Sequence, residues 1–336
     1  MTRRALEGRP VVVLGGTGFL GRHVCRAFAA EGARVLRVSR AAPAGPDGDG
    51  CRTLSLDLAG AGRRDLARLL ADAGAQVLVN ASGAVWAGSP ERMAALNADL
   101  PDRLAGAVAD LPAADRPRLV QLGSAYEYGP ARHGTLTGED CVPAPATVYG
   151  RTKLRGSEAV LRAVREDGAD AVVLRISVAC GPGAPGTSLP GTVAGHLAAG
   201  RGELRLAPLR AHRDLVDVRD VAAAVVAAAR APADAVACGV VNIGGGRAVP
   251  VRRLVELMIS LSGRPVRVVE EADAPRTRSD SPWQRLDISR ARRRLGWSPS
   301  RTLEESLRDL LAAAGVPAEP RAAAAGPGRT DHGQPG

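Results

Sequence analysis

The stretch VVVLGGTGFLG, Val11 to Gly21, constrains this chain more than any other. A short apolar run ends in a cluster of glycines, and a helix-length amphipathic segment, Phe19 to Ala30, follows at once. That setting turns a weak glycine pattern into a strand, tight turn and helix suited to a pyrophosphate. Gly15, Gly18 and Gly21 bring no Cβ atoms, so the backbone N–H groups around Phe19 and Leu20 and the positive helix end can meet the anion. The plain alternative is a tight strand-to-helix turn with no ligand.

The rest of the chain repeats the alternation. Apolar runs at Val11–Leu14, Val35–Val38, Val77–Val79, Arg118–Leu122 and Ala171–Leu174 are separated by amphipathic segments at Phe19–Ala30, Arg63–Ala73, Pro90–Val108 and Val148–Arg165. This predicts an α/β fold, a Rossmann-type doubly wound parallel sheet with a smaller C-terminal substrate-binding lobe. Residues 9–175 read as the dinucleotide-binding domain, its sheet completed by parts of 213–246, and 176–315 as the interleaved substrate-binding lobe. Residues 316–336 are Pro/Gly-rich and aperiodic, which predicts a disordered tail.

Composition removes other classes. The net charge of +10 would suit a nucleic-acid partner, but aromatics are 2% and the dense run Arg290, Arg292, Arg293 and Arg294 has none interleaved, so no nucleic-acid partner is expected. Five scattered cysteines without a C-x-x-C pair predict neither a disulfide framework nor a metal site. No run of roughly 18 apolar residues predicts a membrane span, and the first ten residues lack a signal-peptide core, so a cytoplasmic location is expected.

The second apolar run ends in VSR. A carboxylate there would accept hydrogen bonds from the ribose 2′-hydroxyl of NAD; Ser39 and Arg40 instead suit a 2′-phosphate through charge-assisted hydrogen bonds. NADP(H) is therefore favoured, with NAD(H) the alternative. Asp57 is a candidate for the adenine amino group, with Leu58 against the ring, or else a helix cap. Asn80 and Ala81 end the Val77 run on the same presumed ligand side.

Lys153 is the only lysine beside 44 arginines, and it stands four residues after Tyr149. On a helix both project from one face. A free tyrosine titrates near pH 10, so a cation held close is expected to lower its pKa for proton exchange near neutrality. An ammonium on a slim stem can do this and also reach the cofactor ribose, whereas a guanidinium is bulkier and fixed in its fork. Ser124, ending the strand RLVQLGS, supplies a hydroxyl able to polarise a carbonyl oxygen. All three tyrosines, Tyr126, Tyr128 and Tyr149, fall in this region.

With Gly15, Gly18 and Gly21, Ser124 in GSAYEYG, and Tyr149 and Lys153 in this order, the chain resembles the extended short-chain dehydrogenase/reductases, the nucleotide-sugar epimerase, dehydratase and ketoreductase group. LRISVACGPG (Leu174–Gly183), RDLVDVRDV (Arg213–Val221), VNIGGG (Val241–Gly246) and RRLGW (Arg293–Trp297) look like its later landmarks, so the resemblance runs from about Pro10 to Leu311. It implies that Ser124, Tyr149 and Lys153 form the catalytic set and that Asn97 is a structural or proton-relay position. It also implies that Arg213 contacts a substrate diphosphate, that Arg276 or Arg278 adds a second contact, and that the chain forms a homodimer. Trp86, Tyr126 and Trp283 are expected to wall the substrate.

Departures from the pattern narrow the chemistry. Sugar dehydratases look like T-D-E-V-Y-G at this strand end, and Ala125 and Tyr126 replace their acid and base. Val178 stands where many epimerases carry a sugar-binding asparagine. The expectation is an NADPH-dependent ketoreductase of a sugar ketone, most closely a nucleotide-linked 4-keto-6-deoxyhexose. The alternatives are an NAD-dependent 4-epimerase, a reductase of an aminocyclitol or polyketide ketone, and a non-catalytic dinucleotide-binding sensor.

Overall fold

The computed structural model describes residues 6–40, 50–85, 88–271 and 282–316. Trp86, Arg276, Arg278 and the C-terminal stretch from 317 lie outside the described residues.

In chain order the first half runs β1 (Pro10–Leu14), α1 (Phe19–Ala30), β2 (Arg34–Ser39), β3 (Arg52–Ser55), α2 (Arg63–Ala73), β4 (Val77–Asn80), α3 (Pro90–Ala94), α4 (Leu100–Ala109), β5 (Arg118–Ser124), α5 (Val148–Asp167) and β6 (Ala171–Ile176). The second half adds β7 (Val178–Cys180), α6 (Leu189–Ala198), β8 (Glu203–Leu206), β9 (His212–Asp217), α7 (Val218–Arg230), α8 (Ala233–Val236), β10 (Val240–Ile243), β11 (Ala248–Pro250), α9 (Val251–Ser262), β12 (Arg267–Glu270), α10 (Ser289–Leu295) and α11 (Leu303–Ala313). Seven strands make one parallel sheet in the order β10-β6-β5-β4-β1-β2-β3. Two small sheets, β11-β9-β7 and β12-β8, belong to the C-terminal elements.

β1 shows why the sheet is covered on both faces. Val11 and Val13 join Val24 and Phe28 of α1 and Val225 of α7 in one core, while Val12 and Leu14 join Leu66 of α2 and Leu100 and Leu104 of α4 in the other. Successive strand residues point to opposite faces, so an unbroken apolar run needs two helical layers. Each fully buried Val or Leu contributes roughly 1.5–3 kcal/mol of transfer free energy, which fixes the strand's place more firmly than any single hydrogen bond. A third core, around Leu197, Met258 and Leu310, holds α6, α9 and α11 together.

The helix expected over Pro90–Val108 is present but changes its winding partway. Residues Ala95–Asp99 form a π-helical turn between α3 and α4, and it carries Asn97. The Asn97 carboxamide accepts from Ala84 N–H at 3.0 Å and donates to Ala84 C=O at 2.9 Å and to the Thr152 hydroxyl at 3.2 Å. These bonds, made inward at an almost fully buried position, stabilise a turn that apolar periodicity gives no reason to expect.

Candidate active site

The sheet order reverses between β1 and β4, and a doubly wound sheet opens a ligand crevice at such a point. The glycine turn after β1 and Ala81 after β4 flank it, tied by the hydrogen bond from Ala81 N–H to Leu14 C=O at 3.0 Å. Gly15 adopts φ +70°, and a Cβ there would lie 2.7 Å from the Ser82 Cα; a Cβ on Gly21 would lie 2.1 Å from the Gly15 carbonyl oxygen. Gly18 caps α1 without a side chain, and the first turn has no acidic residue, so the N–H groups there face no competing carboxylate of their own turn. This cradle fits a dinucleotide pyrophosphate, since each glycine stands where backbone must approach backbone and the helix end is left for an anion.

Around it the expected cofactor residues divide. Ser39 is buried at the end of β2, whereas Arg40 is exposed and its carbonyl accepts from the Ser55 hydroxyl at 2.9 Å. Asp57 is exposed and turns onto Ala59 N–H at 3.3 Å; it does not cap α2, whose N-terminus is served by Gly62 and Asp65. Leu58 packs into the core with Val12 and Leu66, so its ring-facing surface is small. Its carbonyl is held by Arg103 of α4 at 3.1 Å, a residue the sequence reading did not single out. Asn80 is fully buried, donating to Gln121 Oε1 at 2.8 Å and accepting from Ser82 N–H at 3.2 Å. Its carboxamide thereby shapes the loop after β4.

Ser124, Tyr149 and Lys153 come together at the end of β5 and the first turns of α5. Thr147 caps α5 by accepting from Gly150 N–H at 3.0 Å, which sets the helix start so that Tyr149 and Lys153 share a face. Gly156 lets the helix press against the π-turn, because a Cβ there would lie 2.0 Å from the Asn97 carbonyl oxygen. Ser124 accepts from Tyr126 N–H at 3.3 Å and hydrogen-bonds the Tyr149 hydroxyl. The rings of Tyr126 and Tyr149 meet edge to face at 5.9 Å.

The electrostatics differ from the expectation of a lowered tyrosine. Burial pushes Tyr149 up to about 12, the Ser124 hydrogen bond works against this, and the Glu127 carboxylate and Tyr126 push it further up. Lys153, itself buried, donates to the Leu122 carbonyl of β5, and burial lowers its pKa while Glu127 raises it. Desolvation of the phenolate thus dominates at Tyr149, and the Lys153 ammonium is engaged with the β5 backbone.

Beside these groups lies a cleft lined by Ala125, Tyr126, Thr147, Arg213, Trp283 and Gln284 among others, with no carboxylate among the described lining residues. Arg213 stands on β9, donating to the His212 carbonyl at 2.8 Å. Trp283 is anchored by its indole N–H to the Thr135 carbonyl at 2.7 Å and packs with His133 and His212, ring centroids 4.2 and 5.1 Å away. Val178 begins β7, which pairs with β9.

This crevice, cradle and hydroxyl pair describe an enzyme that holds a dinucleotide beside a carbonyl or alcohol. Residues 11–244 match the model of the NAD dependent epimerase/dehydratase family, and the chain belongs to that family. It is 42% identical over 308 residues, 90% of this chain and 95% of the relative, to a dTDP-6-deoxy-L-talose 4-dehydrogenase (NAD(P)(+)) of Kitasatospora kifunensis. Among solved structures it resembles a putative epimerase from Burkholderia cenocepacia J2315, with TM-score 0.77 and 26% identity over 92% of this chain and 99% of that one. It also shares the fold of MoeE5 in complex with UDP-glucuronic acid and NAD, with TM-score 0.79 and 24% identity over 91% and 98% of the two chains. The chain is an NAD(P)-dependent oxidoreductase. No described helix is long and apolar enough to cross a membrane.

Proposed function

We propose that the enzyme reduces the 4-keto group of a nucleotide-linked 6-deoxyhexose and prefers NADPH. The observation that carries this reading is the hydrogen bond between the Ser124 and Tyr149 hydroxyls, beside a cleft whose described lining bears no carboxylate. Such a pair can orient a carbonyl and donate one proton, and it lacks the acid and base that eliminating water requires. A relative named as a 4-dehydrogenase of a 6-deoxyhexose nucleotide catalyses oxidation at the same carbon, the reverse direction of this reaction.

NAD(P)H, when bound, supplies the hydride. The glycine turn and the start of α1 hold its pyrophosphate, and Ser39 and Arg40 receive a 2′-phosphate. Ser124 donates toward the carbonyl oxygen, so that charge developing there meets a preorganised dipole. Tyr149, high in pKa and therefore protonated, gives its hydroxyl proton to that oxygen; Lys153 then stabilises the phenolate left behind. Arg213 grips the diphosphate, and Trp283 and Tyr126 flank the sugar. Val178, where an epimerase would bind the sugar through asparagine, supports net reduction over transient oxidation.

The test is to follow NADPH absorbance with a dTDP-linked 4-keto-6-deoxyhexose. Stoichiometric NADPH consumption is expected, with Tyr149→Phe lowering kcat by about 10²- to 10⁴-fold and leaving the NADPH Kd unchanged. Interconversion of two 4-epimers on tightly held NAD, without net cofactor consumption, would overturn the proposal in favour of an epimerase.

A further inference from the structure

The end of β5 carries a buried charge that the mechanism above leaves unused. Glu127 has no exposed surface. One carboxylate oxygen accepts from the backbone N–H of Ser124 at 2.7 Å, and the other from Arg175 Nε at 2.8 Å. A Cβ on Gly123 would lie 2.7 Å from Glu127 Oε1 and 3.3 Å from the Ser157 hydroxyl, which puts the carboxylate between β5 and the helix bearing Tyr149 and Lys153. In the T-D-E-V-Y-G pattern of the dehydratases this position is an uncharged valine.

Several groups face this carboxylate. From β6 comes Arg175, whose guanidinium also lies 4.5 Å over the Tyr128 ring. From its own turn comes Tyr128, donating to Asn242 of β10 at 2.7 Å and feeling the Glu139 charge. From α5 come Tyr149, Lys153 and Ser157. The Lys153 ammonium donates to Leu122, two residues before the Ser124 N–H that Glu127 holds, so both charges seat on the same stretch of β5. An ammonium buried this deeply is costly without a counter-charge, and a negative charge near a phenol opposes its ionisation.

Resting on the reading of Tyr149 and Lys153 as the proton-donating pair, we infer that Glu127 is a positioning residue. It keeps that pair protonated, ready to donate toward a ketone, and Arg175 locks its carboxylate in place. Removing the negative charge makes both protons of the pair more acidic; removing the guanidinium leaves the negative field unopposed and does the reverse.

The three tyrosines allow a direct reading, since subtracting a Tyr149→Phe spectrum isolates one phenolate. Ultraviolet titration of the NADP⁺ complex is expected to show the Tyr149 midpoint lowered by about one unit or more in Glu127→Gln. Arg175→Met is expected to show less tyrosinate than wild type at the same alkaline pH, and the double variant to return toward wild type. Should one single variant fail to fold, the other reads the same field with the opposite sign. A midpoint unmoved in Glu127→Gln, or tyrosinate not reduced in Arg175→Met, overturns the inference. No sugar is present in the titration, so failure of the proposed substrate in a turnover assay is a separate outcome.

Discussion

The cofactor side and the substrate side of the crevice are built on different principles. The cofactor side comes mostly from one stretch, β1 through β2, joined by the loop after β4, and is held by apolar burial and by glycines that admit backbone to backbone. The substrate side is assembled from segments far apart in the chain. Thr137 N–H donates to the Arg285 carbonyl and Asp287 N–H to the Thr137 carbonyl, both at 2.9 Å, and the Asp214 carboxylate accepts from Gly245, Gly246 and Leu286 N–H groups. A cradle fixed by contact distance fails when volume is added. A cleft fixed by buried polar groups fails when charge is changed.

The largest expected effect breaks the cofactor side by volume. In Gly21→Ala the new methyl carbon meets the Gly15 carbonyl at 2.1 Å, and backbone on both sides leaves nothing flexible to yield. NADPH affinity measured by fluorescence titration should fall by about 100-fold or more, with a stability loss of about 1–3 kcal/mol from overpacking. Gly18→Ala, whose Cβ would lie 3.1 Å from the same oxygen, is expected to be much milder. Equal effects from the two would mean that the cradle is not set by contact distance.

The same contrast explains what was legible in the sequence. Helices α1 and α2 coincide with the expected Phe19–Ala30 and Arg63–Ala73 because period and caps are local properties. The Ser124, Tyr149 and Lys153 cluster was legible from rarity and spacing. The π-turn at Ala95–Asp99 was not, because it is stabilised by Asn97 bonding to Ala84, thirteen residues back in another loop. Glu127 and Arg175 escaped notice for the same reason, although a signal existed. Arg175 is the one charge in the apolar run AVVLRI, and a strand buried along its whole length requires a partner for it. Ser39 and Arg40 follow each other in sequence and differ in burial, because Ser39 is the last residue of β2 and Arg40 lies just past the strand end, where the chain leaves the sheet.

The substrate side is expected to break by charge at Asp214. Burial pushes this carboxyl up to about 6, against the backbone N–H groups and the Ser177 hydroxyl that favour its ionised form. Its folded pKa lies above the unfolded value, so the protonated form stabilises the fold at pH below about 4, and that contribution is lost as pH rises through 6. Relative to Asp214→Asn, wild-type stability from denaturant unfolding should therefore fall by about 2–3 kcal/mol between pH 4 and pH 7. The asparagine's mismatch with the backbone donors adds an offset that does not vary with pH. A flat difference across this window would mean that the strap from Trp283 to Leu286 is held by a carboxylate ionised throughout.

The smallest effect sharpens the comparison at Arg40, the charged residue proposed for the 2′-phosphate. Arg40 is exposed, so whatever its guanidinium contributes to a 2′-phosphate is weakened by solvent and salt. Arg40→Ala is expected to weaken NADPH binding by about tenfold, roughly 1.4 kcal/mol, and to leave NADH binding unchanged. The NADPH penalty should shrink with added salt, whereas the Gly21→Ala penalty should not. Loss of NADH affinity in the same variant would mean that Arg40 supports the end of β2 and does not read the phosphate. The cofactor side would then be steric throughout, and the proposed preference for NADPH would lose its charged partner.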